Sequence, residues 1–141
     1  MGESHCLICS KCGQEHYMAE GRGMASMKAP SAEAPLLDDE CYQLKEVVSK
    51  VEYQRYLSLG VRHINNISFD SEPYKCPVCN VPTSRVSAKV MYDDRYIYEA
   101  IHRCEKCDIP LVKTSFDDPN FCCDSCGASP LELALGRVMW D

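Results

Sequence analysis

Four C-x-x-C pairs are the residues of this sequence with the clearest capacity for chemistry. Along the chain they are Cys9/Cys12, Cys76/Cys79, Cys104/Cys107 and Cys123/Cys126. Two cysteines at this spacing can bind one metal ion from a tight turn, here called a knuckle. Two knuckles supply four sulfur ligands in a tetrahedral shell, and Zn²⁺ favours that shell. The four knuckles, numbered first to fourth along the chain, therefore predict two structural zinc ions.

The cysteine content favours metal ligation over a disulfide scaffold. The chain of 141 residues has 11 cysteines, an odd number, and most of them fall in the C-x-x-C pairs. Residues 1–10 lack the basic start and long apolar run of a secretion signal. We therefore expect reduced cysteines in an intracellular compartment, the cytoplasm or the nucleus, rather than secretion. No apolar run approaches the roughly 18 residues that a membrane helix needs, so no membrane association is expected.

The first half of the chain predicts one main helix. Residues 1–17 are dense in metal ligands and form the N-terminal knuckle segment. Residues 18–35 are rich in Ala, Gly, Ser, Met and Pro, which is typical of a flexible loop or linker. Residues 38–59 predict a helix, because aspartates can cap its start and apolar side chains recur at helical spacing. Residues 61–73 predict a short strand or loop.

The second half predicts a β-hairpin and a short helix. Residues 85–92 and 96–103 are rich in β-branched and aromatic side chains and flank an acidic turn. Residues 109–116 are a candidate third strand. A short C-terminal helix is predicted over residues 131–140, because a Ser-Pro dipeptide suits its start.

Antiparallel pairing in this hairpin brings the second and third knuckles close together. The CPVCN segment at residues 76–80, the hairpin, and the CEKCD segment at residues 104–108 resemble a zinc ribbon. The first and fourth knuckles would then share the other ion, in a nested scheme that joins the two ends of the chain. Sequential and interleaved pairings of the knuckles are alternatives, since spacing alone does not determine pairing.

Further cysteines and histidines are candidate alternative ligands. Cys6 with His5 or His16 could complete a local site beside the first knuckle, and Cys122 could replace Cys123. His102 is a candidate because an H-x-C-x-x-C segment at the third knuckle partly resembles a RING ubiquitin ligase. The cysteine that should stand shortly before that histidine is absent.

Together these elements predict a small, zinc-stabilised α+β fold. An antiparallel zinc-ribbon-like sheet would carry the main helix and the short C-terminal helix. Residues 36–141, with the ribbon core and the C-terminal knuckle, are expected to form one domain with residues 1–17, because metal binding adds to the folding free energy. Cys41, on the predicted helix, is expected to be buried as a small apolar residue.

The charge distribution limits the functions that the sequence supports. The formal net charge is −6, and only residues 72–116 carry a slight excess of basic side chains. Basic and aromatic side chains interleave there, as they do in single-strand binders. We therefore expect a non-enzymatic zinc-binding regulatory protein that binds nucleic acid or a transcription complex. The candidate surface consists of Lys75, Arg85, Lys89, Arg95, Arg103, Tyr92, Tyr96 and Tyr98.

A zinc-scaffolded protein-interaction module is the alternative, and the acidic ends of the chain favour it. A compact acidic chain with several zinc knuckles also resembles small viral accessory proteins, including RNA-silencing suppressors, and that resemblance implies the same kind of role. The partial RING resemblance implies ubiquitin-ligase activity as a more distant alternative. A closed shell of four thiolates predicts a structural metal rather than a catalytic one.

Overall fold

The structure is a computed structural model that describes residues 2–21, 44, 47–59, 66–92, 95–134 and 138–140. The elements are β1 (Gly2–Ile8), β2 (Glu15–Gly21), α1 (Lys50–Ser58), β3 (Asn66–Lys75), β4 (Pro82–Tyr92), β5 (Arg95–Glu99), β6 (Val112–Lys113), β7 (Glu132–Leu133) and β8 (Val138–Trp140). Antiparallel strands and a helix confirm the predicted α+β class. No helix among the described residues is long and apolar enough to cross a membrane.

Residue contacts divide the chain into two compact units. The first, which we call the cysteine unit, comprises Met1–Met24, Ser71–Arg85 and His102–Asp141, and it includes all four knuckles. The second, which we call the helix unit, comprises Ala25–Asp70 and Val86–Ile101. The single domain predicted from the sequence stays a prediction.

The cysteine unit is built on an N-terminal hairpin. β1 pairs antiparallel with β2 from Gly2↔Gly21 to Ile8↔Glu15, and the first knuckle lies in the connection between them. The other edge of β1 pairs with β7 and β8, and β6 pairs with β3. The hairpin corrects the predicted linker over residues 18–35, because residues 18–21 belong to β2. The rest of that linker lies outside the described residues.

Side chains of this hairpin contribute to the core of the cysteine unit. Leu7 on β1, Cys9 in the first knuckle and Met18 on β2 are all buried. The same cluster includes Phe121, Cys123 and Leu131. Two knuckle cysteines are therefore core residues as well as candidate ligands, so packing of the core and assembly of the knuckles depend on each other.

The short C-terminal helix predicted over residues 131–140 is not confirmed. β7 and β8 cover Glu132–Leu133 and Val138–Trp140 instead, and both pair with β1. The Ala134 N–H also donates to the Cys6 carbonyl at 2.8 Å. This pairing satisfies backbone groups on the edge of β1, and that tertiary contribution outweighs the local helix propensity of the segment.

The predicted central hairpin is confirmed, with different bounds. β4 pairs antiparallel with β5, and the register shifts between Val90 and Met91. This shift is a β-bulge, which increases the local twist of the hairpin. β5 ends at Glu99 rather than at residue 103, because Arg103 pairs with Pro110 outside the hairpin.

Two other predicted strands also have different bounds. β3 covers Asn66–Lys75, where the sequence predicted a short strand or loop over residues 61–73. Only Val112–Lys113 of the strand predicted over residues 109–116 is a strand in the structure. Before it, Pro110 forms only a single bridge with Arg103, and it has no N–H with which to extend the ladder.

The main helix is shorter than predicted. α1 covers Lys50–Ser58, whereas the sequence predicted one helix over residues 38–59. Ser49 has an extended backbone, with φ −66° and ψ 160°, and its hydroxyl accepts the Glu52 N–H at 3.2 Å. This N-cap begins a new helix and interrupts the predicted continuous one. Residues 38–43, including Cys41, lie outside the described residues.

A buried carboxylate holds α1 against β5 within the helix unit. Glu52 is 7% exposed, and its Oε1 accepts from the Tyr98 hydroxyl at 2.9 Å and from the Ile101 N–H at 3.0 Å. Arg55 donates to the same oxygen at 2.5 Å, and the Tyr56 ring packs edge-on against Tyr98. Burial by itself would raise the pKa of Glu52, but these donors outweigh it and hold the pKa below its ordinary value.

Replacing this carboxylate should loosen the helix unit. We expect Glu52→Gln to lower the free energy of unfolding by about 1–3 kcal/mol, because a neutral amide is a weaker acceptor for these donors. Urea unfolding followed by circular dichroism measures the change. Lys50→Gln removes an exposed charge from the same helix and should change the free energy of unfolding by no more than about 0.5 kcal/mol. Equal stability of Glu52→Gln and Lys50→Gln would contradict the assigned role.

Candidate metal centres

The described structure brings the eight knuckle cysteines together in two groups of four. The terminal group consists of Cys9, Cys12, Cys123 and Cys126. The ribbon group consists of Cys76, Cys79, Cys104 and Cys107. Within each group the sulfur atoms lie within 4.8 Å of one another. The grouping is the nested one, and the sequential and interleaved alternatives do not occur.

The sulfur separations fit a tetrahedral metal ion. Cys9 and Cys12 lie 3.5 Å from Cys126 and Cys123 respectively, and Cys79 lies 3.8 Å from Cys104, measured between Sγ atoms. A Zn–S bond of about 2.3 Å implies about 3.8 Å between sulfurs at the corners of a tetrahedron. A disulfide needs about 2.05 Å, and the described cysteines are all free. Each group therefore has the composition and spacing of a metal site.

One backbone turn is repeated in all four knuckles. The residue after each second cysteine donates its N–H to the carbonyl of the first cysteine, at 2.8–2.9 Å. The same residue has a positive φ: 78° at Gly13, 56° at Asn80, 52° at Asp108 and 71° at Gly127. Glycine has no Cβ to clash there, and Asn and Asp tolerate the left-handed region better than other residues. The turn points both sulfurs of a knuckle towards one centre.

Backbone donors favour thiolates at the first position of two knuckles. The N–H of Cys12 lowers the pKa of Cys9 to about 6. Burial opposes ionisation of Cys76, but the N–H groups of Cys79 and Val78 outweigh it and lower the pKa to about 7. These donors would also stabilise a metal-bound thiolate.

The second cysteine of a knuckle behaves differently. The N–H of Gln14 favours ionisation of Cys12, but the neighbouring thiols, Cys123 above all, outweigh it and raise the pKa to about 12. The Cys76 sulfur raises the pKa of Cys107 to about 12. Four thiolates this close repel one another, so a dication is needed for all of them to be ionised together.

The two groups are tied to each other within the cysteine unit. The Cys122 N–H donates to the Asn80 carbonyl at 2.9 Å, which joins the fourth knuckle to the second. The Lys106 ammonium pairs with the Asp124 carboxylate, which joins the third knuckle to the fourth. Both contacts involve residues next to or between candidate ligands.

A third contact is a largely buried ion pair between Lys75, which directly precedes the second knuckle, and Asp118. The Lys75 Nζ lies 2.5 Å from Asp118 Oδ2, and the Thr114 hydroxyl donates to the same oxygen at 2.6 Å. The Asn120 N–H donates to the other carboxylate oxygen at 2.9 Å. Burial opposes ionisation of Asp118, but these donors outweigh it and lower the pKa to about 2. The pair fixes the segment that leads into the fourth knuckle.

The alternative ligands named from the sequence, His5 among them, belong to neither group. The Cys122 sulfur lies 3.6 Å from the Asn120 carbonyl, and Cys6 lies within β1 opposite Tyr17. His102 packs edge-on against Tyr74, with ring centroids 5.6 Å apart. The RING comparison required His102 as a ligand, so this position does not favour it.

His16 lies beside the ribbon group. It lines a cavity of about 200 Å³ beside Cys76, Cys79 and Cys104. Its Nε2 is buried without a hydrogen-bond partner among the described residues. Burial lowers the pKa of His16 below its ordinary value, which favours the neutral imidazole. It therefore stands beside the ribbon group without being one of its four ligands.

The basic side chains of the predicted nucleic-acid surface are mostly paired in the cysteine unit. Lys75 pairs with Asp118, as described above. Arg85 lies 3.6 Å from a Glu105 carboxylate oxygen, and Arg103 lies 3.1 Å from that of Asp108. Carboxylates therefore compete with phosphate at these three positions.

The helix unit holds the rest of that predicted surface. Tyr98 is 3% exposed and donates to Glu52, so its assignment as a base-stacking residue is corrected. Tyr96 is 65% exposed, with the Lys89 ammonium 6.0 Å from its ring centroid. Arg95 is exposed next to it in β5. The Tyr92 side chain lies outside the described residues.

Comparisons with protein-family models, with curated proteins and with solved structures found no match. The function proposed below therefore rests on the residues of this chain alone.

The Lys75–Asp118 pair predicts a pH-dependent contribution to stability. The pKa of Asp118 is about 2 in the folded chain against an ordinary 3.8, so the carboxylate stabilises the folded state above about pH 4. That contribution is lost as the pH falls towards 2. We expect Asp118→Asn to lower the free energy of unfolding by about 1–2 kcal/mol at neutral pH.

Urea unfolding across the pH range measures this difference. The gap between wild type and Asp118→Asn should narrow on acidification, even though both chains lose stability. Asp108→Asn, at an exposed carboxylate in the third knuckle, is the control and should change stability by about 0.5 kcal/mol or less. A gap of constant size at every pH would argue against the ion pair.

The knuckle turns predict a specific response to added side chains. A Cβ at Gly127 would meet no atom within 4 Å, so Gly127→Ala carries only the cost of a positive φ. We expect a loss of about 1 kcal/mol in the free energy of unfolding. Asn80→Gly, at the equivalent turn position, should cause no comparable loss. Chemical unfolding of both variants distinguishes these cases, and equal losses would show that the turns do not govern stability.

Proposed function

We propose that this chain is a non-enzymatic zinc protein in which two structural zinc ions hold the fold that binds a macromolecular partner. The observation that carries the proposal is the presence of two closed groups of four sulfurs with tetrahedral spacing. Four thiolates favour zinc over harder divalent ions and leave no open position for a substrate or a catalytic water. The first and fourth knuckles would hold the zinc ion of the terminal group, and the second and third would hold that of the ribbon group.

A structural role fits the position of the groups. Cys9 and Cys123 belong to the apolar cluster of the cysteine unit, together with Leu7, Met18 and Phe121. That cluster is small, and small cores commonly need metal or disulfide support. Because the first and fourth knuckles lie at opposite ends of the sequence, a shared ion would connect segments that the chain does not keep together.

A protein partner is favoured over nucleic acid for the cysteine unit. The net charge of the chain is −6, and Lys75, Arg85 and Arg103 already face carboxylates. Neutralising phosphates requires basic side chains that are available to release counterions. A partner with basic patches would meet a more complementary surface.

One observation favours nucleic acid as a second candidate. In the helix unit, Tyr96 is well exposed, and Lys89 and Arg95 are close to it along β4 and β5. An exposed ring beside cationic side chains can stack on an unpaired base while the charges contact phosphates. Single-stranded RNA or DNA would be the ligand of this surface.

Serine variants test the zinc assignment. Cys107→Ser and Cys126→Ser should each reduce the zinc content from two ions to one, because each removes one ligand from a different group. Cys122→Ser is the matched control next to Cys123 and should retain two ions, as should Cys6→Ser. Native mass spectrometry of the reduced protein gives the count. Loss of zinc in the Cys122→Ser control, or two ions in both site variants, would refute the assignment.

Binding assays separate the two partner classes. Fluorescence anisotropy with labelled single-stranded and duplex RNA and DNA should show salt-dependent binding that Tyr96→Ala weakens if the second candidate holds. For a protein partner, affinity capture by the zinc-loaded chain followed by reconstitution with the purified captured protein should give a defined complex. Absence of any reconstituted complex together with salt-dependent RNA binding would reverse the preference.

A further inference from the structure

The nested grouping makes the two candidate zinc sites neighbours in one unit, and this raises the question of whether they bind zinc independently. Cys79 and Cys104 are 25 residues apart in sequence, whereas Cys12 and Cys123 are 111 apart. The ribbon group is therefore enclosed by the loop that the terminal group closes. If the sites are coupled, chain connectivity, direct contacts or both must carry the coupling.

Chain connectivity contributes less to the coupling free energy than direct contacts do. Closing the inner loop shortens the outer loop by about a quarter, and closure entropy depends only logarithmically on loop length. That change alters the affinity of the outer site by less than about twofold. Any larger coupling has to come from contacts between the groups.

Direct contacts join ligand-bearing turns of both groups. Asn80 completes the second knuckle, with its N–H bonded to Cys76 and its φ at 56°, and its carbonyl accepts the N–H of Cys122 at 2.9 Å. Cys122 immediately precedes the terminal ligand Cys123. Ordering the second knuckle around a metal therefore places the acceptor that orients the start of the fourth knuckle.

A side-chain contact repeats this connection between the third and fourth knuckles. Lys106 lies between Cys104 and Cys107, and its ammonium pairs with the Asp124 carboxylate and lies 3.3 Å from the Asp124 carbonyl. Asp124 in turn follows the terminal ligand Cys123. Both contacts require an ordered knuckle in each group. The first ion therefore supplies part of the conformational entropy cost of ordering the knuckles of the other group, and the second ion does not meet that part again.

We infer that the two zinc sites are thermodynamically coupled, with zinc in either group raising the affinity of the other group by about tenfold through the Asn80–Cys122 and Lys106–Asp124 contacts. This inference rests on the proposed zinc-binding function. One backbone hydrogen bond and one exposed ion pair together account for a factor of this size. Since linkage is reciprocal, the factor is the same in both directions. Asn80, Lys106 and Asp124 then act as positioning residues rather than ligands.

A thermodynamic cycle measures the coupling without assigning binding steps to sites. Zinc dissociation constants are obtained by chelator competition for Cys126→Ser, which retains the ribbon group, and for Cys107→Ser, which retains the terminal group. Their product is divided by the product of the two constants of the wild-type chain. A ratio of about ten supports coupling, and a ratio of one shows independent sites and overturns it.

A second pair of variants keeps all eight ligands and avoids dependence on folded serine variants. Asp124→Asn removes the carboxylate of the ion pair and should weaken overall two-zinc binding about threefold. Asp108→Asn is the matched control, because its carboxylate pairs with Arg103 beside the same third knuckle and does not reach the other group. Equal two-zinc affinity of these variants would count against the Lys106–Asp124 contact as a coupling element.

The outcomes keep this inference distinct from the proposed function. A wild-type chain that binds fewer than two zinc ions refutes the proposed function. A chain that binds two ions with a ratio of one in the cycle keeps the proposed function and refutes the coupling alone.

Discussion

The spacing of four sulfur atoms is the constraint on which the rest of the cysteine unit depends. Each group needs its sulfurs at about the separation of a tetrahedron around one ion, and a knuckle provides only two of them. The missing pair must come from another part of the chain. For the terminal group that part is 111 residues away between Cys12 and Cys123. The β1–β2 hairpin, the short strands at the C-terminal end and the ties at Lys75 and Lys106 all help to bring those segments together.

The helix unit depends on a different interaction. Its central feature is the buried Glu52 carboxylate, which gathers donors from Arg55, Tyr98 and the backbone of Ile101. The buried charge is tolerated because each of these donors compensates part of the free-energy cost of its desolvation. One unit thus uses candidate metal ligation and the other a hydrogen-bonded ion pair to support a small apolar core.

The sequence predicted those elements whose structure depends on residues close together in the chain. The C-x-x-C spacing identified the knuckles, and the β-branched and aromatic residues identified the central hairpin that aligns the second and third of them. The same reasoning failed where long-range pairing decides the outcome. The sequence after Leu131 favours a helix, yet Glu132–Leu133 and Val138–Trp140 pair with the edge of β1 as strands. Ser49 looked like an ordinary helix position, although its hydroxyl caps a new helix.

In the candidate metal centres, too, local features were predictable and long-range contacts were not. The ligands follow from spacing, but the residues that join the groups carried no recognisable signal. Nothing in the sequence marks Asp118 and Asp124 as pairing residues, and their partners Lys75 and Lys106 lie 43 and 18 residues away in sequence. Tyr98 resembled a surface residue because β-strand alternation does not show which face a helix will cover. Such pairings become visible only once the topology is known.

X-ray absorption at the zinc K-edge, combined with elemental analysis of the reduced, purified chain, tests the central claim most directly. Two zinc ions per chain, each with four sulfur neighbours at about 2.3 Å, are the predicted result. A first shell containing nitrogen or oxygen, a stoichiometry below two, or cysteines found in disulfides would contradict the account.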